Sequence, residues 1–362
     1  VRVVRAFNKE QDEKGRMDGA FSDYAYTSIK ANRMFASLDG LSFFAVNLFV
    51  ILVYSFSGFR VTAGAFAVAD ITALVEYALL ALFYLMMAQM VILTLLRAFE
   101  CAERVRTVLD FSPTIQDHTE KDVWFPASPE NVVTFQNVAF RFADSSLYTL
   151  KNLNFSCRRG TTTAIIGGTG SGKSTVASLI LRFNDVTEGE LLLDGIDIRK
   201  MPQKQLRDHI AYVQQRAWLF AGTIAENLRY SNPNATDEEL WHALKVAQAE
   251  DFVRSLPDGL NSYVAQGGTN FSGGQKQQLS IARALVKKPE LYIFDDSFSA
   301  LDFKTDAALR RALAYETQNA AVLIIAQRVS TILHAEQIVV LNEGDVRVEV
   351  TISFPLSSFS VV

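Results

Sequence analysis

Cysteine and histidine are scarce in this sequence and an excess of positive charge is lacking, and each shortage removes a class of function. There are two cysteines in 362 residues, Cys101 and Cys157. Both fall in segments read below as cytoplasmic, where thiols stay reduced and no disulfide framework is expected. The four histidines, at positions 118, 209, 242 and 334, are scattered. They show no metal-ligand spacing with the cysteines and read as surface or packing residues. The formal net charge is −4, so no basic surface points to nucleic acid. Internal repeats and low-complexity tracts are lacking. Methionine is missing from the first position and no signal-peptide pattern follows it. The opening Val1-Arg2-Val3-Val4-Arg5-Ala6-Phe7 is already in mid-pattern, which sets the expectation of a fragment shortened at its N-terminus.

Apolar sequence, by contrast, is plentiful, at 49% of residues against 20% charged. The excess sits before residue 100. Residues 8–37 mix charges with apolar residues at helical spacing (Phe21, Tyr24, Ile29, Phe35), which predicts a solvated helical stalk. Leu41 to Phe59 is then an uncharged run of 19 residues, about 29 Å of helix, enough to cross a bilayer core. After a connection with Arg60 and Gly64, Tyr77 to Leu96 is a second uncharged run of 20 residues, with its helix starting near Ala69. Two such lengths in succession favour membrane spans at 41–59 and 70–96 over buried helices of a soluble domain. Seven basic residues precede the first span and Arg97, Arg104 and Arg106 follow the second, while Arg60 stands alone between them. The positive-inside rule therefore places both ends in the cytoplasm. Asp70 and Glu76 have two readings, interfacial placement or a substrate cavity; Gln89 is either a cavity residue or a helix-packing one.

A polar connector with Pro113, Pro126 and Pro129 separates this region, residues 1–110, from a second domain at 131–345. Short β-rich runs begin there, at Val132–Phe135, Val138–Phe142 and Thr163–Ile166. Helical and strand signals then alternate, which predicts a partly parallel sheet with covering helices. The fold class expected is a membrane all-α region followed by an α/β P-loop domain. Residues 346–362 form an atypical tail rich in Ser, Phe and Val, and leave the last strand in doubt.

Gly167-Gly168-Thr169-Gly170-Ser171-Gly172-Lys173-Ser174-Thr175 matches the phosphate-loop pattern, between a strand at 163–166 and a helix from Val176 to Leu181. Its glycines let consecutive backbone N–H groups turn toward phosphates at a helix N-terminus. Lys173 supplies a point charge to the β- and γ-phosphates of ATP, and the Ser174 hydroxyl is a ligand for Mg²⁺. Leu291-Tyr292-Ile293-Phe294 is an apolar strand ending in Asp295-Asp296. Asp295 has the position of a metal-holding carboxylate, and Asp296 that of a base for the attacking water.

Asn270-Phe271-Ser272-Gly273-Gly274-Gln275-Lys276-Gln277 resembles the signature motif of ABC ATPases. Gln215, within Tyr212-Val213-Gln214-Gln215, resembles their Q-loop glutamine, which adds it to the metal and catalytic set. Ser299-Ala300-Leu301-Asp302 resembles the D-loop, and Phe142 occupies the place of the adenine-stacking aromatic. Residues 1–110 resemble the last two membrane helices, of six, in an exporter-fold half-transporter. The resemblance implies a protein of a bacterial plasma membrane that exports a lipid, peptide or other small molecule. It also implies a second half-transporter as partner, with each ATP held between one chain's phosphate loop and the other's Ser272, Gly273, Gly274 and Gln275 equivalents.

Two positions depart from that pattern. Asp296 stands where most members have Glu, and Gln327, in Ile325-Ala326-Gln327-Arg328, where most have His. The shorter carboxylate is withdrawn by about 1 Å, a misplacement that costs on the order of 10²-fold in rate. Glutamine can hydrogen-bond a phosphate but carries neither proton nor charge. Both changes fall on the site built on this chain's own loop, and the signature is whole. That asymmetry resembles the weaker half of heterodimeric bacterial exporters; drift in a homodimer is the alternative. Other readings are a regulatory ATP-binding subunit, a soluble ABC ATPase of DNA repair or translation, and a nonfunctional fragment.

Overall fold

The computed structural model describes residues 2–62, 68–117, 129–328 and 332–351. The chain divides into two units, Val1–Ser112 and Pro113–Val362.

The first unit is helical. A short α1 (Arg2–Ala6) leads into α2 (Glu10–Thr62), and α3 (Val68–Leu109) packs along α2. Stalk and first span are thus one helix of 53 residues, about 80 Å long, well beyond a bilayer core. Both helices are long and apolar enough to cross a membrane, with windows of mean hydropathy 2.0 in α2 and 1.9 in α3. Those windows are 0% and 6% buried, unlike a soluble core helix. Phe43, Phe44, Ile51, Phe56, Phe83 and Leu85 all lie exposed, an apolar surface suited to lipid or to further helices. Asp70 and Glu76 are exposed on α3. The side chains of Arg60 and Gln89, Gly64 and His118 lie outside the described residues.

The second unit is built on one curled mixed sheet. Its strands are β1 (Asn131–Phe140), β2 (Leu150–Arg158), β3 (Thr162–Gly167), β4 (Glu188–Leu193), β5 (Ile196–Asp197) and β6 (Ile210–Val213). After the short pair β7 (Gly222–Thr223) and β8 (Tyr263–Val264) come β9 (Leu291–Asp295), β10 (Ala321–Ala326), β11 (Gln337–Asn342) and β12 (Asp345–Thr351). The sheet order is β5-β4-β1-β2-β12-β11-β3-β10-β9-β6. From β11 to β6 all neighbours run parallel; β1, β2, β4 and β5 pair antiparallel. The helices are α4 (Lys173–Ile180), α5 (Gln203–Asp208), α6 (Ile224–Arg229), α7 (Asp237–Val246), α8 (Glu250–Ser255), α9 (Gly273–Val286) and α10 (Phe303–Glu316).

The parallel strands follow from their composition. β9 (LYIFD) and β10 (AVLIIA) are buried at every position, as expected of strands covered on both faces. Successive side chains alternate between faces. Leu291, Ile293, Leu323 and Ile325 enter one core with α4, while Tyr292, Phe294, Val322 and Ile324 enter another with α7 and α9.

Two expectations change in detail. The runs at Val132–Phe135 and Val138–Phe142 are one strand, β1, with register shifts around Asn137, whose φ is +48°. Phe142 lies beyond its end. Residues Val346–Thr351, expected in the atypical tail, form most of β12, which pairs with β11 from Gln337↔Thr351 to Asn342↔Asp345.

Two buried polar clusters brace the parts that carry the loop and the acidic pair. Arg182, just past α4, is 1% exposed. Its guanidinium donates to Asp185 (2.9 Å), the Met201 carbonyl (3.0 Å) and the Gln116 carbonyl (3.3 Å), and lies 3.6 Å from Asp117. It thereby fixes the connector to the sheet. At the opposite end of β9, Arg159 bridges Asp194 (3.3 Å) and Glu290 (3.0 Å), with His209 Nδ1 at 3.3 Å from Glu290. Burial and the adjacent Glu290 push the Asp194 carboxyl up to about 8, and the hydrogen bond from Asp194 holds Glu290 down at about 2. The pair therefore keeps one proton near neutrality that the unfolded chain releases.

This pairing predicts a pH dependence. Asp194's contribution is full below its ordinary 3.8 and is lost as pH rises through about 8; Glu290's is lost only as pH falls through about 2. Stability of the C-terminal unit should decline from about pH 4 to about pH 8 and level off above it in denaturant titrations, and Asp194→Asn, which mimics the protonated acid, should flatten that decline. An unchanged slope in the variant would contradict the shared proton.

Candidate functional site

The phosphate loop begins where β3 ends. Gly167 is pressed against the backbone, so that a Cβ there would lie 2.2 Å from the Leu341 carbonyl oxygen. Gly170 and Gly172 adopt φ of +81° and +95°, the left-handed region glycine enters without steric cost. The Gly172 turn caps α4 and aims its free N–H groups into the cleft. Thr169, Gly170, Gly172, Lys173, Ser174 and Thr175 line a cleft of about 300 Å³ together with Gln215, Asp295 and Gln327. Lys173 Nζ donates to the carbonyls of Gly167 (2.8 Å) and Gly168 (2.6 Å). Burial lowers its pKa, an effect offset in part by Asp295 and Asp296. Ser171 is buried, and its N–H donates to the Gly168 carbonyl at 3.2 Å, closing the loop.

The acidic pair arrives from β9. Ser174 Oγ donates to Asp295 Oδ1 at 3.2 Å, and Tyr212 Oη donates to Asp295 Oδ2 at 3.2 Å. Burial raises the Asp295 pKa, and these two hydrogen bonds oppose the rise. Asp296 takes a left-handed backbone, φ +46°, which aspartate tolerates better than most residues. Gln215 Nε2 donates to Asp296 Oδ2 at 3.0 Å. Gln327 is exposed at the end of β10 and lines the same cleft.

The remaining expected residues lie elsewhere. Phe142 is half-exposed, packs edge-on against Phe140 (centroids 4.9 Å apart), and lines a neighbouring cleft with Arg141, Phe183 and Asp185. The Thr149 N–H donates to the Phe140 carbonyl at 2.8 Å, which ties the walls of the two clefts together. Ser272 caps α9 in a reciprocal capping box with Gln275, and Ser272 and Gly273 are exposed. Asp302 caps α10 through the Thr305 N–H at 3.0 Å, and hydrogen bonding from the Thr305 side chain and then its backbone lowers the Asp302 pKa. None of Ser272, Gly273, Gly274, Gln275 or Asp302 lines the phosphate-loop cleft. Thr149, Ile325 and the Tyr212 hydroxyl were not singled out by sequence. Tyr212 was visible in the Gln215 motif, whereas nothing local marks Thr149.

The donor set suits a phosphate chain and a hard divalent cation. A lysine and a helix N-terminus meet a hydroxyl and a carboxylate 3.2 Å apart, all oxygen donors on the metal side. Among the described residues no cluster of three His, Cys, Asp or Glu offers a competing metal site.

Comparison with known proteins agrees with this geometry. The family model for ABC transporters matches residues 150–299. An uncharacterised ABC transporter ATP-binding protein of Mycobacterium tuberculosis is 38% identical over 349 residues, 96% of this chain and 60% of that protein. A putative multidrug export ATP-binding/permease protein of Staphylococcus aureus is 42% identical over 214 residues, 59% of this chain and 37% of that protein. A solved bacterial Atm1-family ABC exporter with ATP bound superposes with TM-score 0.86 at 30% identity, covering 97% of this chain and 61% of that one. The chain thus spans about three fifths of the length of the first and last of these relatives.

The two loop glycines should respond differently to a methyl group. At Gly170 a Cβ meets open space, so Gly170→Ala costs only backbone strain, about 1–2 kcal/mol. At Gly172 a Cβ would lie 2.6 Å from the Leu150 side chain and 3.1 Å from the Thr149 carbonyl. Gly172→Ala should therefore shift the N-terminus of α4 and weaken ATP binding at least about tenfold more than Gly170→Ala, measured by equilibrium titration. Equal effects would contradict the packing argument.

Proposed function

With the architecture of an exporter-fold ABC transporter, membrane helices ahead of a P-loop ATP-binding domain, as premise, we propose that this chain is one half of an ATP-driven export machine. Its own phosphate loop binds MgATP and turns it over slowly. The observation that carries the reading is the contact at 3.2 Å between Ser174, at the start of α4, and Asp295, at the end of β9. The two residues are remote in sequence, and their meeting beside Lys173 assembles the parts a nucleoside triphosphate requires.

Backbone N–H groups of residues 169–175 cradle the phosphates, and Lys173 leaves its loop carbonyls for the β- and γ-phosphate oxygens. Ser174 and Asp295 would hold Mg²⁺, with Gln215 lining the same cleft. When bound there, Mg²⁺ neutralises charge on the phosphate oxygens. Asp296 accepts the proton of the attacking water, and Gln327 hydrogen-bonds the γ-phosphate from the end of β10. Phe142 receives the adenine ring. Ser272 and Gly273 are exposed, Gly274 and Gln275 are partly so, and all four stand apart from the chain's own cleft, which suits a role over the ATP of a second half-transporter. Asp302 stands at the same interface. The exposed apolar faces of α2 and α3 favour a place in the membrane, contact with lipid, and further helices around a path for a small molecule, lipid or peptide.

The partner is a different half-transporter, and the site on this chain's loop is the weaker of two. Asp296 is short of the reach of glutamate and is engaged by Gln215 at 3.0 Å, and Gln327 offers no titratable group. A regulatory subunit with negligible hydrolysis is the second reading, favoured by the same two positions.

Steady-state ATPase of the purified pair separates these roles. Replacing only the partner's catalytic carboxylate should reduce turnover on the order of 10²-fold, since the remaining site is this chain's. Turnover persisting near the wild-type rate would contradict a weak site at Asp296 and Gln327. Residual hydrolysis in that pair, abolished by adding Lys173→Ala, would mark a slow site, and hydrolysis at background would mark an inert regulatory one.

A further inference from the structure

Strand β6 lies at the edge of the parallel sheet, beside β9, with Tyr212 opposite Ile293 and Val213 opposite Phe294. Tyr212 is thus set back along the sheet from Asp295, and its ring reaches forward until the hydroxyl meets the carboxylate. The ring packs against the core that holds Ile293 and Ile325, which fixes the direction of the hydroxyl. Asp295 receives Tyr212 Oη on Oδ2 and Ser174 Oγ on Oδ1, each at 3.2 Å. The final torsion of an aspartate is broad and has no sharp rotamer of its own. Two donors on opposite oxygens remove that freedom.

We infer that Tyr212 is a positioning residue for the divalent cation: by holding Oδ2 it turns Oδ1 of Asp295 toward Ser174, the pair that would hold the cation. The inference rests on the reading of the loop as an MgATP site. It assigns a task to a side chain that packing alone would explain just as well with phenylalanine. A hydrogen-bonding partner behind a metal ligand commonly governs affinity for the metal more than the fold does.

Tyr212→Phe tests this, since it keeps the ring in the core and removes one oxygen. The full chain in detergent is titrated with ATP in EDTA, then with Mg²⁺ at saturating ATP, and its thermal unfolding is followed without nucleotide. Mn²⁺ replaces Mg²⁺ for electron paramagnetic resonance. The expected result is a Mg²⁺ affinity weakened about 10- to 100-fold, an unchanged affinity for ATP in EDTA, an unchanged melting temperature and an altered Mn²⁺ line shape. An unchanged Mg²⁺ affinity would overturn the inference, as would parallel losses of metal-free ATP affinity and melting temperature, which mark a packing role. Failure of the underlying reading shows separately, in the wild-type chain, as ATP binding that is absent or indifferent to Mg²⁺.

Discussion

Parallel pairing of β3, β10, β9 and β6 is the constraint on which the site depends. Parallel strands end on the same edge of a sheet, so residues just past each C-terminal end become neighbours whatever their separation in sequence. Lys173 and Ser174 follow β3, Asp295 and Asp296 close β9, Gln327 follows β10 and Gln215 follows β6. Each is brought to the edge by an apolar strand buried on both faces. The register Ile325↔Asp295 and Ala326↔Ile166 then sets the loop and the acidic residues at one level. The Ser174–Asp295 contact is the outcome of this alignment. Arg182 at the end of α4, and the Arg159–Asp194–Glu290 cluster before β9, brace the same elements from behind.

What the sequence made legible follows from how locally each feature is encoded. The phosphate loop is a contiguous motif whose glycines are demanded by backbone geometry, so its strand-loop-helix setting could be read directly. The same holds for the apolar run before Asp295 and for the two membrane-length helices. Boundaries were harder where the signal weakens. Exposed Gln136 and Asn137 split β1 into two apparent runs, because a bulge interrupts the alternation without ending the ladder. Val346, Val348 and Val350 alternate as a strand should, yet the unfamiliar ending obscured β12. Arg182, Thr149 and the Tyr212 hydroxyl act through partners far along the chain. No pattern along the sequence announces them, since their roles exist only once α4, β2 and β6 are docked.

Electrostatics give the site its direction. Lys173 is pulled down by burial and Asp295 pushed up by it, so a phosphate beside one and a cation beside the other each relieve a desolvated group. Binding is thus favoured by the fold itself. Hydrolysis needs a carboxylate at the right reach and a group to sense the γ-phosphate, and these are the positions where Asp296 and Gln327 depart from the resembled pattern. A site that binds well and reacts slowly would favour long-lived closure with a partner, and would leave the faster chemistry to the site completed by Ser272–Gln275.

The central claim is that MgATP dwells at the loop from Gly167 to Thr175, hydrolysed far more slowly than at the opposite site, while the assembled transporter works. Cryo-electron microscopy of the full assembly, frozen during steady-state turnover with ATP and Mg²⁺, reads this directly. The account predicts three phosphates at Lys173 with a cation beside Ser174 and Asp295 in most particles, and ADP predominantly at the opposite site. ADP predominating at this loop, or no nucleotide there, would contradict it.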